Sequence, residues 1–428
     1  MEILLSLSVA LLAGLGLTRV VKLFKLPDVT AYLIAGILVG PYVLGALGVS
    51  GLGFTSMAEL KNYGLLSDLA LGFIAFSIGN EFRVKDLAHI GRQALVVGTV
   101  QAVFTTLLVD VALIGLHFIM PDKLPLPAAI VLGAVASATA PAATLMVVRQ
   151  YKAKGPLTDI LMPIVALDDA VGLVLFAVSF GVAKALISGR VDLLSVILEP
   201  LLEVVLSLLL GAVMGAIFSW SERFYHSRSK RLAVSVSFVI LTSALSMLEF
   251  EIFGVHVAFS SLLVCMMLGT VFCNICDFSE ELMGRLDRWT APLFVLFFVL
   301  SGAELELSVF RNSYVVIIGL VYIALRSAGK YFGAFVSARA VGCFSGIVKY
   351  LGITLLPQAG VALGMAMKAE ALGEVGALVA NITLFSVFIY ELVGPSLTRA
   401  ALLKAGEIEE SGATSARGEI IHFHRRKK

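Results

Sequence analysis

Long apolar runs alternate with short polar interruptions along the whole chain, and the length of the runs sets the first expectation. A window of about 20 apolar residues is enough to cross a bilayer as a helix. Such windows place thirteen transmembrane helices. Helix 1 is Ile3–Val21, helix 2 Val29–Leu47, helix 3 Leu65–Gly79 and helix 4 Ala94–Phe118. Helix 5 is Pro125–Val148, helix 6 Pro156–Leu186, helix 7 Val196–Trp220, helix 8 Leu232–Leu248 and helix 9 Phe253–Phe272. Helix 10 is Ala291–Leu307, helix 11 Tyr314–Val341, helix 12 Ile347–Met367 and helix 13 Gly376–Leu402. The pattern divides the chain into a transmembrane domain over 1–405 and a polar cytoplasmic tail over 406–428. The start, Met1-Glu2-Ile3, has no basic n-region and reads as the first helix, not as a removed signal.

Composition agrees with this class. Hydrophobic residues make up 59% and charged residues 14%, against about 25% charged in soluble domains. A net charge of +2 carries no basic stripe interleaved with aromatics, so no nucleic-acid partner is expected, and the closing Arg425-Arg426-Lys427-Lys428 reads as a solvated cytoplasmic end. The basic residues are sorted by loop. One set of alternate loops holds Arg19, Lys22, Lys25, Arg83, Lys85, Arg92, Arg149, Lys152, Lys154, Arg223, Arg228, Lys230, Arg231, Arg285, Arg288, Arg339 and Lys349; the other holds only Lys61, Lys123, Lys184, Arg190, Arg311 and Lys368. By the positive-inside bias, the N-terminus lies outside and the C-terminus inside, in the plasma membrane.

Two helices are interrupted. Helix 5 contains Ala136-Ser137-Ala138-Thr139-Ala140-Pro141, and helix 12 contains Leu356-Pro357-Gln358-Ala359-Gly360. Proline removes a backbone donor and clashes with the preceding turn. Open backbone at membrane depth is tolerated only where it is buried in protein or lines a cavity. The two breaks lie seven spans apart and so run in opposite directions, the pattern of inverted repeats that cross at a midplane site. Setting helix 1 aside gives two six-helix repeats, helices 2–7 and 8–13, with the breaks expected at matching places.

Charges inside the spans carry the candidate chemistry. A charge in mid-membrane costs about 3 kcal/mol or more, and such residues usually face a partner, a cavity or an ion path. Helix 6 holds Asp168-Asp169, helix 13 holds Glu391, and helix 11 holds Arg326 and Lys330 four residues apart on one face. Neighbouring helix positions point about 100° apart, so the two aspartates cannot face the same way. Asp168 is assigned to Lys330 and Asp169 to the ion, with the reverse assignment as the competitor. Arginine suits a permanent pairing and lysine a titratable one, so Arg326–Glu391 is expected to be structural and Asp168–Lys330 to titrate. Asp110 and Glu203 read as locally paired or as lying near an interface, and His256 in helix 9 as a packing histidine. Cys273-x-x-Cys276 has no further zinc ligands beside it and reads as structural.

These residues resemble a known family. Leu26-Pro27-Asp28-Val29-Thr30-Ala31-Tyr32-Leu33-Ile34-Ala35-Gly36-Ile37-Leu38-Val39-Gly40-Pro41 is similar to the second-helix signature of the cation:proton antiporter-2 family of sodium/proton exchangers. The likeness continues through Thr139-Ala140-Pro141-Ala142-Ala143, the aspartate pair, Gly329-Lys330, Leu356-Pro357-Gln358-Ala359-Gly360 and Glu391-Leu392-Val393-Gly394-Pro395. It implies an all-α fold of thirteen helices, with two crossed, unwound helices in a core domain and a dimerisation domain that includes the first helix. The resemblance thus implies that helices 3–5, 6 and 10–13 form a core bundle and helices 1–2 and 7–9 a scaffold for a homodimer. It also implies that the second aspartate binds the ion while the first can bridge to the helix-11 lysine. Two acids in these positions imply electrogenic transport. The chain departs from the family's Arg-Gly-Glu stretch, having Gln358-Ala359-Gly360, so any ion role for that glutamate is absent or supplied elsewhere. The short tail leaves no room for the nucleotide-binding domain of potassium-efflux relatives.

The expected function is therefore exchange of sodium, or another monovalent cation, for protons. Asp169 and Asp168 would hold the ion with oxygens near Ser137 and Thr139, with Lys330 coupled and no resident cofactor. A potassium/proton antiporter and a cation channel on the same helices are the alternatives. An intramembrane aspartyl protease needs facing aspartates on different helices, and adjacent ones do not supply that.

Overall fold

A computed structural model describes residues 2–24, 26–49, 53–80, 82–188, 193–248, 250–252, 255–305 and 310–409. The expected tail beyond 409 lies outside the described residues. The helices are α1 (Glu2–Leu23), α2 (Asp28–Val39), the short α3 (Met57–Lys61), α4 (Gly64–Gly79), α5 (Val84–Ile119), α6 (Leu126–Val135), α7 (Pro141–Gln150) and α8 (Pro156–Ser188). They continue with α9 (Leu193–Ser221), α10 (Arg228–Ser246), α11 (Ser261–Ile275), α12 (Ser279–Ala303), α13 (Ser313–Ala340), α14 (Ser345–Thr354), α15 (Gly360–Ala369) and α16 (Glu374–Ala405). Eight of these are singly long and apolar enough to cross a membrane. With α6–α7 and α14–α15 each counted as one interrupted crossing, the thirteen expected spans are all present as helices.

Three boundaries differ for local reasons. Helix 2 stops at Val39, because Gly40-Pro41 cannot continue it. Helix 9 starts late, at Ser261, because Phe250–Ile252 and Val255–Val257 form an antiparallel hairpin, β1 and β2, with Glu251 opposite His256. The strand-favouring Phe250, Ile252, Val255 and Val257 explain the pairing, and they move His256 off the helix. Helix 10 begins about three turns early at Ser279, since its charged first turns find partners: Arg83 Nη1 reaches Glu280 Oε1 at 2.8 Å and Arg149 Nη1 reaches Asp287 Oδ1 at 2.6 Å.

Packing sorts the helices into two bodies. In one, α5 packs on α13, α8 and α6, while α16 packs on α13, α14 and α15. In the other, α2 packs on α1 and α12, and α11 packs on α4, α9 and α10. Helices 3 and 10 (α4 and α12), expected in the core bundle, therefore belong by packing with α1, α2 and α9–α11. The cause is backbone approach. A methyl group on Gly36 would collide with the Val299 carbonyl, and one on Gly302 with the Leu33 carbonyl, so α2 and α12 touch main chain to main chain. Gly79 meets the Met266 carbonyl and Gly269 the Phe76 carbonyl in the same way, joining α4 to α11. Small residues that let backbones meet are the usual device for helix association in lipid.

These contacts also correct the repeat boundaries. The α2–α12 pairing (helices 2 and 10) is matched by α11–α4 (helices 9 and 3), and α1–α2 by α10–α11 (helices 8 and 9). Each match is a shift of seven spans. The repeats are therefore helices 1–6 and 8–13, with helix 7 (α9) linking them, and the broken crossing is fifth in both.

Candidate ion-binding site

The breaks at 136–140 and 355–359 meet at the centre of the first body. Ala140 donates its N–H to the Pro357 carbonyl at 2.8 Å. Gln358 ties the crossing together. Its Nε2 donates to the Val135 carbonyl at 3.0 Å and to the Tyr322 hydroxyl at 3.1 Å, while its Oε1 accepts from Ser386 at 2.8 Å. Pro141 occupies the first turn of α7, where an intrahelical donor is not needed. Gly360 opens α15, and Gly394 lets α16 press on Pro357, where a Cβ would come 3.0 Å from the proline Cα.

Unwinding leaves carbonyls at the ends of α6 and α14 without intrahelical partners, at the negative ends of both helix dipoles. Arg326, fully buried on α13, answers them. Its Nε donates to the Ala136 carbonyl at 3.0 Å, Nη1 to Leu356 at 2.7 Å and Nη2 to Ala138 at 2.5 Å. Its guanidinium also lies over the Tyr390 ring, 4.4 Å from the centroid. The expected Arg326–Glu391 pairing is therefore not formed. A guanidinium fork satisfies several fixed carbonyls at once, and here both breaks supply them. Glu391 is 5% exposed, and its Oε2 has no hydrogen-bond partner among the described residues.

One turn along α13, Lys330 Nζ bridges to Asp168 Oδ2 at 2.8 Å and donates to the Ser137 carbonyl at 2.5 Å. Both charged side chains are fully buried. Thr139 donates its hydroxyl to the same Oδ2 at 2.6 Å, and the other oxygen, Oδ1, accepts from Gln101 Nε2 on α5. Asp168 is thus saturated with donors. Ser137 takes part through its carbonyl, because its hydroxyl is turned back onto Ala134 at 2.7 Å.

Asp169 is the contrast. It is 1% exposed, and neither carboxylate oxygen has a hydrogen-bond partner among the described residues. The turn of about 100° between neighbours takes its side chain off the Lys330 face. A buried ion pair thus stands beside a buried carboxylate free to take either a metal cation or a proton. Of the sequence-derived residues, Asp168, Thr139, Lys330 and Ser137 come together, Arg326, Pro357 and Gln358 build the crossing, and Glu391 stands apart from Arg326. The sequence reading missed Gln101, Tyr322, Ser386 and Tyr390. Gln101 left one signal, a lone amide in the apolar stretch of helix 4.

Comparison with known proteins points the same way as this geometry. At 26% identity over 351 residues, 79% of this chain and 83% of the relative, the sequence is similar to a Na(+)/H(+) antiporter, NhaS4, from Synechocystis. Among solved structures, the fold is similar to that of the sodium proton antiporter MjNhaP1 from Methanocaldococcus jannaschii. Its structure at pH 8 gives a TM-score of 0.66 with 18% identity, covering 95% of this chain and 99% of that one. A three-dimensional electron-microscopy map of the same protein gives 0.73 with 15% identity, covering 94% and 97%. The family model described as sodium/hydrogen exchanger, transmembrane, matches residues 7–404, essentially every helix, and the chain belongs to that family of multi-pass membrane proteins.

Proposed function

We propose that sodium, or another monovalent cation, exchanges for protons at Asp169 by alternating access. The observation that carries this reading is the division between the two aspartates, one saturated by Lys330, Thr139 and Gln101 and the other buried with both oxygens unpartnered. A cation reaching Asp169 from one side displaces its proton, and a proton arriving from the other side expels the cation. The Thr139 hydroxyl and the unwound main chain offer further oxygen ligands, partial charges suited to a monovalent ion. Asp168, Asp169 and Lys330 titrate as a coupled set. Proton release from Lys330 as the cation arrives at the neighbouring Asp169 would make the exchange electrogenic.

The body built on α5–α8 and α13–α16 moves, and the glycine-packed body of α1–α4 and α9–α12 is the scaffold. Exposed apolar residues at fourfold spacing on α9, Leu201, Val205, Leu209, Val213 and Ile217, give that scaffold a face for lipid or a second copy, which suits a homodimer. The loop charges favour a plasma membrane orientation with the N-terminus outside. No resident cofactor is required.

Sodium-driven proton flux in proteoliposomes tests the reading. Asp169→Asn should abolish exchange, and a parent rate in that variant would overturn the assignment. Lys330→Gln should make transport less electrogenic or shift its pH dependence. In current–voltage recordings, the reversal potential should follow the combined sodium and proton gradients; one that follows a single ion would indicate a channel.

A further inference from the structure

Gln101 sits midway along α5 and is fully buried, its Oε1 without a hydrogen-bond partner among the described residues. An amide there costs several kcal/mol unless it is hydrogen-bonded, on the order of 2–7 kcal/mol by transfer measures. Its Nε2 makes two bonds, to the Gly98 carbonyl at 3.0 Å and to Asp168 Oδ1. Both partners are acceptors, which fixes the amide with nitrogen towards Asp168. The backbone beneath it is equally constrained. Thr105 donates its hydroxyl to the Gln101 carbonyl at 2.7 Å. A Cβ at Gly333 would lie 3.0 Å from the Gln101 Cα, and one at Gly329 would lie 2.9 Å from the Thr105 Cα. These two glycines flank Lys330 on α13, so the helix that carries the lysine is held directly against the helix that carries the amide.

Asp168 therefore has a donor on each side, Gln101 on Oδ1 and the Thr139–Lys330 pair on Oδ2. As the anion, a carboxylate accepts from all of these donors without having to turn an O–H of its own towards one of them. Removing Gln101 would leave Oδ1 open to a proton or to the transported cation.

We propose that Gln101 is a positioning residue of the exchange site, holding Asp168 turned onto Lys330 and keeping Oδ1 out of the cation's ligand set, so that of the two aspartates only Asp169 meets the ion. The inference rests on the reading of Asp169 as the carrier. It makes Gln101 the element that sets the pH range of exchange without touching the cation.

The test uses Gln101→Leu and Gln101→Met, which keep the volume and remove the amide, with exchange followed in proteoliposomes across pH. The midpoint of the pH–rate profile should move alkaline by about one unit, the effect of losing one donor to the anion, while the maximal rate stays within about threefold of the parent. Either variant carries the expectation if the other does not yield folded protein. A second readout is sodium-dependent thermal stabilisation of purified protein as a function of pH. There Gln101→Leu should shift the midpoint in the parent background and have no further effect in an Asp168→Asn background. A parent-like midpoint for both Gln101 variants, or an equal shift in the Asp168→Asn background, would overturn the proposal. Asp169→Asn measured alongside separates the two levels: exchange that survives it removes the carrier reading itself, whereas a dead Asp169→Asn with unmoved Gln101 variants removes only the role of Gln101.

Discussion

Arg326 holds three main-chain carbonyls from two different broken helices, Ala136, Ala138 and Leu356, in a fully buried position. Each buried carbonyl left without a donor costs about 1–3 kcal/mol, so Arg326→Met should destabilise by roughly 3 kcal/mol or more. Arg326→Lys should restore only part of this, since an ammonium lacks the planar fork. Thermal melting in detergent measures both; a parent melting temperature for Arg326→Met would contradict the assignment. Glu391→Gln provides the companion test. Because Glu391 does not pair with Arg326, its neutralisation should leave stability unchanged or raised, and a loss as large as that of Arg326→Met would show that the two side chains do depend on each other. The contact between Asp168 and Lys330 was legible in the sequence because the expense of two embedded charges demands a partner. The partner of Arg326 was not legible, because charge counting considers side-chain anions and overlooks carbonyls that become acceptors once a helix unwinds. The same blindness hid the partners of Gln358, whose bonds to Val135 and Tyr322 depend on a crossing that no single segment encodes.

The elements were read well where hydrophobic length decides them and less well where pairing does. All thirteen spans follow from apolar windows, and both breaks follow from Pro141 and Pro357. The second hairpin strand, Val255–Val257, reads as part of the start of helix 9 because a short apolar run does not distinguish helix from strand. The grouping of α4 and α12 depends on glycine contacts between distant segments. Gly36 with Gly302 and Gly79 with Gly269 each meet the carbonyl three residues before the partner glycine, one arrangement used twice by the two repeats. Gly302→Val and Gly79→Val should therefore destabilise to a similar degree, by about 1–3 kcal/mol or more as overpacking. Gly16→Val, where a side chain would meet nothing within 4 Å, should stay close to the parent. Melting temperatures that fall for Gly16→Val as much as for Gly302→Val would count against the backbone-contact account.

For the whole molecule, the two bodies are tied together near Arg149 and Gln150, at the end where the loop basic residues cluster. Arg149 bridges from α7 to Asp287 on α12 at 2.6 Å, and Gln150 Oε1 accepts the Asp28 N–H at the start of α2 at 2.9 Å. Glu407 closes the same end, accepting the Leu157 and Thr158 N–H groups of α8 at 2.6 and 2.8 Å. If the proposed exchange opens that side, it must break the α7 links. Since such partly exposed contacts contribute about 1 kcal/mol or less each, Asp287→Asn with Gln150→Ala should raise deuterium uptake in α7 and the first turn of α2 by a few fold without unfolding the protein. Uptake unchanged at both places would exclude this end as a gate. In the proposed mechanism the gates serve competition at one carboxylate, and the most direct measurement is the proton released when sodium is added to purified protein in weakly buffered detergent solution at alkaline-to-neutral pH. The parent should release protons in step with sodium binding, and Asp169→Asn should release none. An undiminished release from Asp169→Asn would contradict the account.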